Sequence, residues 1–292
     1  MRGSNRGVLL FLIITFGITW GVWGLARVLG VLNTGPSGQI IVALGAFGPA
    51  IAAIIVRRLV THEGFADAGL RLHLRHGWPY YLFAWLIPLP VVATIAVLSG
   101  ALGIVNIHNI TQRAAATPAT LLVAVLGGAL LSAPLFWGEE FGWRSYLQLR
   151  LGLRPLPAAI VTGLIWGIFH YPVILAGFEG YENVLVGLAV FPISTILLSI
   201  TFAWLRLKTG SVWASCLAHS ATNGIGGALT AYMFLGSGHF LLTSYLGVLG
   251  WLPLGILGVW IVLTRGLTTA SNARFSAGQV IRTSPSREEA LV

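Results

Sequence analysis

Residues 121–144 read LLVAVLGGALLSAPLFWGEEFGWR, and this stretch decides the fold. From Leu121 to Trp137 it carries no charge; it then sets Glu139 and Glu140 side by side, with Arg144 four residues after Glu140. A carboxylate at the centre of a membrane helix costs about 2.5–3.5 kcal/mol on insertion scales, so packing alone seldom explains one. Two of the chain's eight acidic residues stand together here. They call for a partner and a task.

The rest of the chain is solvent for this motif. Hydrophobic residues make up 56% and charged residues 9%, whereas soluble domains carry about a quarter charged. With a mean hydropathy of +0.86, this composition defines an integral membrane protein. The net charge of +9 does not point to nucleic acid, because the basic residues are scattered between apolar runs rather than gathered with aromatics. The one cysteine, Cys216, leaves the fold to packing alone and reads as a small interhelical residue. Arg2 and Arg6 precede an apolar run too long for a signal-peptide core, which is expected to be a retained first span.

Runs long enough to cross a bilayer, about 20 residues each, fall at 8–29, 39–56, 79–100, 120–150, 156–176, 184–205, 211–235 and 245–264. The expected fold is all-α, a polytopic membrane bundle of about eight transmembrane helices, with the third kinked by Pro88 and Pro90. Residues 1–270 form one transmembrane domain and 271–292 a polar, disordered cytoplasmic tail. Fourteen of the 17 basic residues fall in segments on one side, among them Arg57, Arg58, Arg71, Arg75, Arg150, Arg154, Arg206 and Lys208. The other side keeps Arg27 and Arg113, with Glu179 and Glu182 in the loop 177–183. The positive-inside rule therefore places both termini in the cytoplasm. Within the connection 57–78, Arg71, Leu72, Leu74 and Arg75 suit either a short interfacial helix or a solvated loop.

Three spans carry polar residues that a lipid-facing helix would not choose. Glu140 and Arg144 share a helix face and make a supporting ion pair, leaving Glu139 about 100° around. Trp166 and His170 stand four apart on the fifth span, and His219 and Asn223 four apart on the seventh. Counting 1.5 Å per residue from the cytoplasmic ends puts Glu139 about 16 Å deep, His170 about 21 Å, His219 about 10 Å and Asn223 about 16 Å. Two carboxylates, two imidazoles and an amide thus meet in one membrane layer. His, Asn and Ser often only glue membrane helices together, but Glu139 has no such explanation.

Two chemistries suit the set. A carboxylate and an imidazole on one water act as base and proton shuttle, while a second His and an Asn donate to an oxyanion. Alternatively, Glu139, His170 and His219 hold Zn²⁺, with a fourth position left for water. Neither HExxH nor GxSxG occurs, and His62, His73, His76, His108 and His239 lack metal-site spacing.

Glu139-Glu140-xxx-Arg144, then Trp166-xxx-His170, then His219-xxx-Asn223 resemble, in order and spacing, the three motifs of the CPBP family. This is the group of Rce1-type CAAX prenyl endopeptidases and bacterial abortive-infection or bacteriocin-processing proteins. The likeness covers about residues 118–225, the expected protease core. One departure is Trp166, where the family's motif usually begins with Phe. The resemblance implies an intramembrane endopeptidase whose site opens to the cytoplasmic side, acting on membrane-associated or lipidated proteins or peptides in a bacterial or archaeal cell membrane. It assigns water activation to Glu139 with His170, oxyanion stabilisation to His219 and Asn223, and support to Glu140 and Arg144. The family has been described both as metalloproteases and as glutamate-dependent proteases. Asn223 is a poor zinc ligand and a good oxyanion donor, so a glutamate mechanism without a cofactor is expected, with zinc on Glu139, His170 and His219 as the alternative. The competing functions are a non-enzymatic immunity or assembly partner retaining the fold, and a proton-coupled transporter. The latter would want acidic relays reaching both faces.

Overall fold

The computed structural model describes residues 2–32 and 35–267, with the side chains from Asn5 onward; the tail 271–292 lies outside the described residues. Every regular element among them is helical. Seven helices are long and apolar enough to cross a membrane: Asn5–Val28, Gly35–Val60, Leu74–Ala101, Ala119–Arg150, Pro155–Leu175, Val184–Thr209 and Phe240–Leu263. The eighth expected span is also present, as consecutive helical segments over residues 212–233. It falls short of the apolar criterion because Ser215, His219, Ser220, Thr222, Asn223 and four glycines or threonines around them dilute its hydropathy. Of the eight expected spans, the one below the rest in hydropathy carries half of the expected site.

The third span begins earlier than its apolar run suggests, at Leu74, and is interrupted at Ile87 ahead of Pro88. Proline removes one backbone donor and clashes with the preceding turn. Residues 71–73 are a loop and not an interfacial helix. What holds this connection is a set of ion pairs. Fully buried Arg57 donates to Asp67 at 2.8 Å, to Gly64 O at 2.6 Å and to Ser145 O at 2.8 Å. Arg150 reaches Glu63 at 2.7 Å and Asp67 at 2.9 Å, and Arg206 donates to Asp67 O at 2.7 Å. Burial pushes the Glu63 and Asp67 carboxyls up, but the hydrogen bonds and charges of these arginines outweigh it and leave both below the ordinary carboxylate range.

Those contacts gather Arg57, Arg150 and Arg206 at one end of the bundle. At the opposite end, Arg113 of a short helix, Ile107–Ala116, donates to Leu235 O at 2.7 Å and Met233 O at 3.3 Å. It thereby satisfies carbonyls left open where the 212–233 helix ends. The end-to-end alternation of the sequence reading is thus present in the packing. Reporter fusions after Arg58, Arg154 and Lys208 are expected to read cytoplasm, and fusions near Gly35, Asn109, Gly180 and Ser237 the outside. A cytoplasmic signal at Gly180 overturns the order of the spans.

Close helix approach fixes where the polar residues point. A Cβ on Gly142 would come within 2.3 Å of Pro49 Cβ, so the second span lies directly on the turn that carries Glu139 and Glu140. A Cβ on Gly167 would stand 2.6 Å from Pro192 Cα, and the fifth span packs along the sixth there. Membrane helices associate largely through such small-residue contacts, since lipid tails are as apolar as leucine. Beneath the site lies an aromatic cluster. Trp143 meets Phe11 at 5.8 Å and Phe169 at 5.3 Å, both edge-on, and Phe169 meets Trp23 at 5.0 Å.

Candidate active site

The fourth span changes its winding around the motif. It tightens to a 3₁₀ turn over Ala133–Phe136, returns to α over Trp137–Gly142 and widens to π over Trp143–Leu147. The 212–233 helix likewise widens to π at Thr222–Gly227, with Asn223 in the widened turn. Such π insertions are rare and recur at functional sites. Here they turn side chains off the lipid-facing register, and Glu139, Glu140 and Arg144 are 6%, 0% and 0% exposed.

Glu140 is the hub of the buried charges. One carboxylate oxygen accepts from Arg144 Nε at 3.0 Å, as the i,i+4 spacing leads one to expect. The other stands 3.0 Å from His219 Nδ1 on a different helix. A carboxylate oxygen accepts, so this contact puts the proton on Nδ1 and turns Nε2 of His219 away from Glu140. The sequence reading gave Glu140 only a supporting role within its own helix; its interhelical bond to His219 has no sequence signal. Arg144 also donates to Ser199 Oγ at 2.6 Å and lies over the Trp166 and Phe202 rings at 5.4 and 5.5 Å. Ser199 passes the chain on to Ala159 O at 2.6 Å.

Glu139 faces the other way. Its Oε2 accepts from Trp166 Nε1 at 2.6 Å and from Trp143 Nε1 at 3.3 Å. These donors fix the carboxylate and keep Oε1 for another partner. Trp166 occupies the place where phenylalanine is usual in the resembling motif, and only an indole brings the N–H. The departure therefore gives Glu139 a hydrogen-bond donor that phenylalanine would not supply. Trp143, one turn along from Glu139, was missed by the sequence reading.

His170 ends the helix Pro155–Phe169, and its Nδ1 is 2.9 Å from Trp166 O. A carbonyl oxygen also only accepts, so Nδ1 donates and Nε2 keeps its lone pair. Rings of Trp166 contact both histidines, at 6.0 Å for His170 and 5.0 Å for His219. Ser220 points off this set, as its position beside His219 requires, and ties the helix to the fourth span through Ser132 Oγ at 2.7 Å and Ala129 O at 2.6 Å.

Glu139, Trp166, His170, His219 and Asn223 line one cavity of about 790 Å³. Asn223 is exposed to it. Glu140 and Arg144 stand behind the wall. Two further carboxylates, Glu179 and Glu182, line the same cavity from the loop between the fifth and sixth spans. The sequence reading had placed them only as external charges. Among the described residues no three of His, Cys, Asp and Glu form a group that could hold a metal ion. His219 gives Nδ1 to Glu140, His170 gives Nδ1 to Trp166 O and Glu139 gives Oε2 to two indoles, which leaves two Nε2 atoms and Glu139 Oε1 as the unspent atoms of the set.

Comparison with known families gives one match: the family described as type II CAAX prenyl endopeptidase Rce1-like, over residues 114–225. The matched segment contains all seven residues that the motifs single out. Neither a curated protein nor a solved structure matches the chain.

Proposed function

Because residues 114–225 match the Rce1-like endopeptidase family, we propose that the protein is an intramembrane endopeptidase that cuts membrane-associated peptides or proteins with a water activated by Glu139 and His170. The observation that carries this reading is the shared cavity: a fixed carboxylate, two oriented imidazoles and a free amide line one apolar chamber.

The peptide lies in the chamber with its scissile carbonyl between the two pairs of groups. Glu139, with Oε1 unspent on the indoles, takes a proton from the water; His170 Nε2 accepts the water's other hydrogen bond and helps to shuttle the proton. The hydroxide adds to the carbonyl carbon, and the carbonyl oxygen becomes an oxyanion. Asn223 donates from its amide and His219, as an imidazolium held by Glu140, from Nε2. Such preorganised donors act strongly where water is excluded. As the C–N bond breaks, the proton held by Glu139 passes to the leaving nitrogen, giving an amine and a carboxylate. Glu140 and Arg144 touch no substrate in this scheme; they hold His219.

The test is incubation of the purified protein in nanodiscs with lipid-anchored peptides, reading new termini by mass spectrometry. Asn223→Ala is expected to lower turnover by about 10²–10³, as loss of one oxyanion donor does, with KM little changed. Elemental analysis should find no stoichiometric zinc. One zinc per chain, leaving together with activity, would overturn the glutamate mechanism and make Glu139, His170 and His219 ligands.

A further inference from the structure

The helix that carries His170 stops where His170 stands, and the way it stops sets the imidazole. Pro155–Phe169 gives way to a second short helix, Tyr171–Leu175, with Pro172 in its first turn. At the junction the His170 amide donates to Gly167 O at 3.1 Å, a tighter turn than the α-helical bond to Trp166 O. Trp166 O is thereby freed, and the His170 ring takes it, Nδ1 donating at 2.9 Å. Phe169 O is left open as well. In a helix its donors would be the amides of residues 172 and 173. Pro172 has no N–H, and the Val173 amide goes to His170 O at 3.1 Å.

The first span supplies the missing donor. Trp20 Nε1 donates to Phe169 O at 3.0 Å. The junction lies within the span Pro155–Leu175, where lipid offers an open carbonyl no water in exchange. Phe16, one turn before Trp20, meets its ring edge-on at 5.0 Å and steadies the indole. Trp23 meets the Phe169 ring at 5.0 Å and the His170 ring at 6.0 Å. It is itself fixed, Nε1 donating to Val42 O of the second span at 3.1 Å. The imidazole thus stands among Trp23, Trp166 of its own helix and Phe191 of the sixth span. Trp20 and Trp23 both lie outside residues 114–225, the segment that matches the family.

Resting on the endopeptidase reading, we propose that the first span belongs to the catalytic apparatus: Trp20, by holding Phe169 O, is the positioning residue that keeps the proton of His170 on Nδ1. A neutral imidazole carries its proton on either nitrogen, and the hydrogen bond made by one settles both. With Trp166 O open to it, Nδ1 donates, and Nε2 is the acceptor that a bound water needs. Without the Trp20 donor, the regular α-helical ladder becomes the way to satisfy Phe169 O. The Val173 amide would return to Phe169 O and the His170 amide to Trp166 O. Nδ1 then shares or loses its acceptor, and Nε2 no longer keeps a lone pair for the shuttle.

The test reads the tautomer itself and does not depend on turnover. Full-length protein with isotope-labelled histidine is placed in nanodiscs, at a pH where the ring is neutral. Long-range ring correlations by NMR tell Nδ1–H from Nε2–H, and the His170 signals are those lost in His170→Gln. The unsubstituted chain should show Nδ1–H at His170. Trp20→Phe keeps an aromatic ring and removes the donor; it should move His170 to Nε2–H or to a mixture, with the His219 signals unchanged. Nε2–H in the unsubstituted chain, or an unmoved His170 in Trp20→Phe, overturns the proposal. On lipid-anchored peptides Trp20→Phe should lower kcat about ten-fold or more with KM little changed, part of the 10²–10⁴ that a positioned proton-transfer group contributes. In a His170→Gln background it should cost nothing further, because residues acting through one another are not additive. An equal fall in both backgrounds marks a general loss of structure and overturns the positioning role. A tautomer that shifts in a protein that cleaves nothing keeps the role of Trp20 and loses the protease. Cleavage that survives Trp20→Phe, with His170 unmoved, keeps the protease and loses the role.

Discussion

Glu139→Gln is expected to lower cleavage by about 10²–10⁴, the range that general-base catalysis contributes, while leaving the fold intact. The amide keeps the shape of the carboxylate, and its oxygen still accepts the Trp166 Nε1 bond now at 2.6 Å. What it loses is the ability to take a proton from water. The expected signature is a fall in kcat with little change in KM, together with an unchanged thermal midpoint in detergent. Trp166→Phe separates orientation from basicity: it removes the indole donor and restores the ring that is usual at this place in the motif. A smaller fall, with Trp143 still holding Glu139 at 3.3 Å, is expected there. Full activity of Glu139→Gln would remove Glu139 as the base and leave the buried pair of acids without a catalytic member.

The spans and the motif residues were legible in the sequence because each rests on a local signal. Apolar runs mark helices, and residues four apart share a face whatever the tertiary fold. The fourth span was expected at 120–150 and stands at Ala119–Arg150. Trp166, His170, His219 and Asn223 reach one cavity because each i,i+4 pair stays on one side of its helix. The bond from Glu140 to His219 was not legible, nor was that from Trp166 to Glu139, since each depends on how two distant helices rotate against each other. Gly142 and Gly167 set that rotation through contacts with Pro49 and Pro192, and no local pattern names those partners. Glu179 shows the same limit. Loop charge set it apart from the arginine-rich segments; only the packing shows that it lines the chamber. Arg113 likewise read as a stray external charge and proves to cap the 212–233 helix.

Arg144→Ala is expected to cost about 3–5 kcal/mol of stability, because it strands a charge in the interior. Arg144 and Glu140 are both fully buried, and the pair is joined at 3.0 Å. Without the guanidinium, Glu140 keeps only His219, and Ser199 loses the donor at 2.6 Å that now meets its oxygen. Two ring contacts go as well, since the guanidinium lies over Trp166 and Phe202. The measurable results are lower folded yield and a lower thermal midpoint in detergent, with activity falling as His219 loses its fixed partner. Glu140→Gln combined with Arg144→Met tells charge from volume. It removes both charges and fills the space, so stability should recover in part, as replacing a buried pair by neutral groups often allows. Activity should not recover with it, because an amide at residue 140 no longer steadies an imidazolium at His219. An unchanged midpoint for Arg144→Ala would sink the structural role and move Arg144 to the substrate side of the wall. Recovery of activity in the double variant would show that His219 works without the carboxylate behind it.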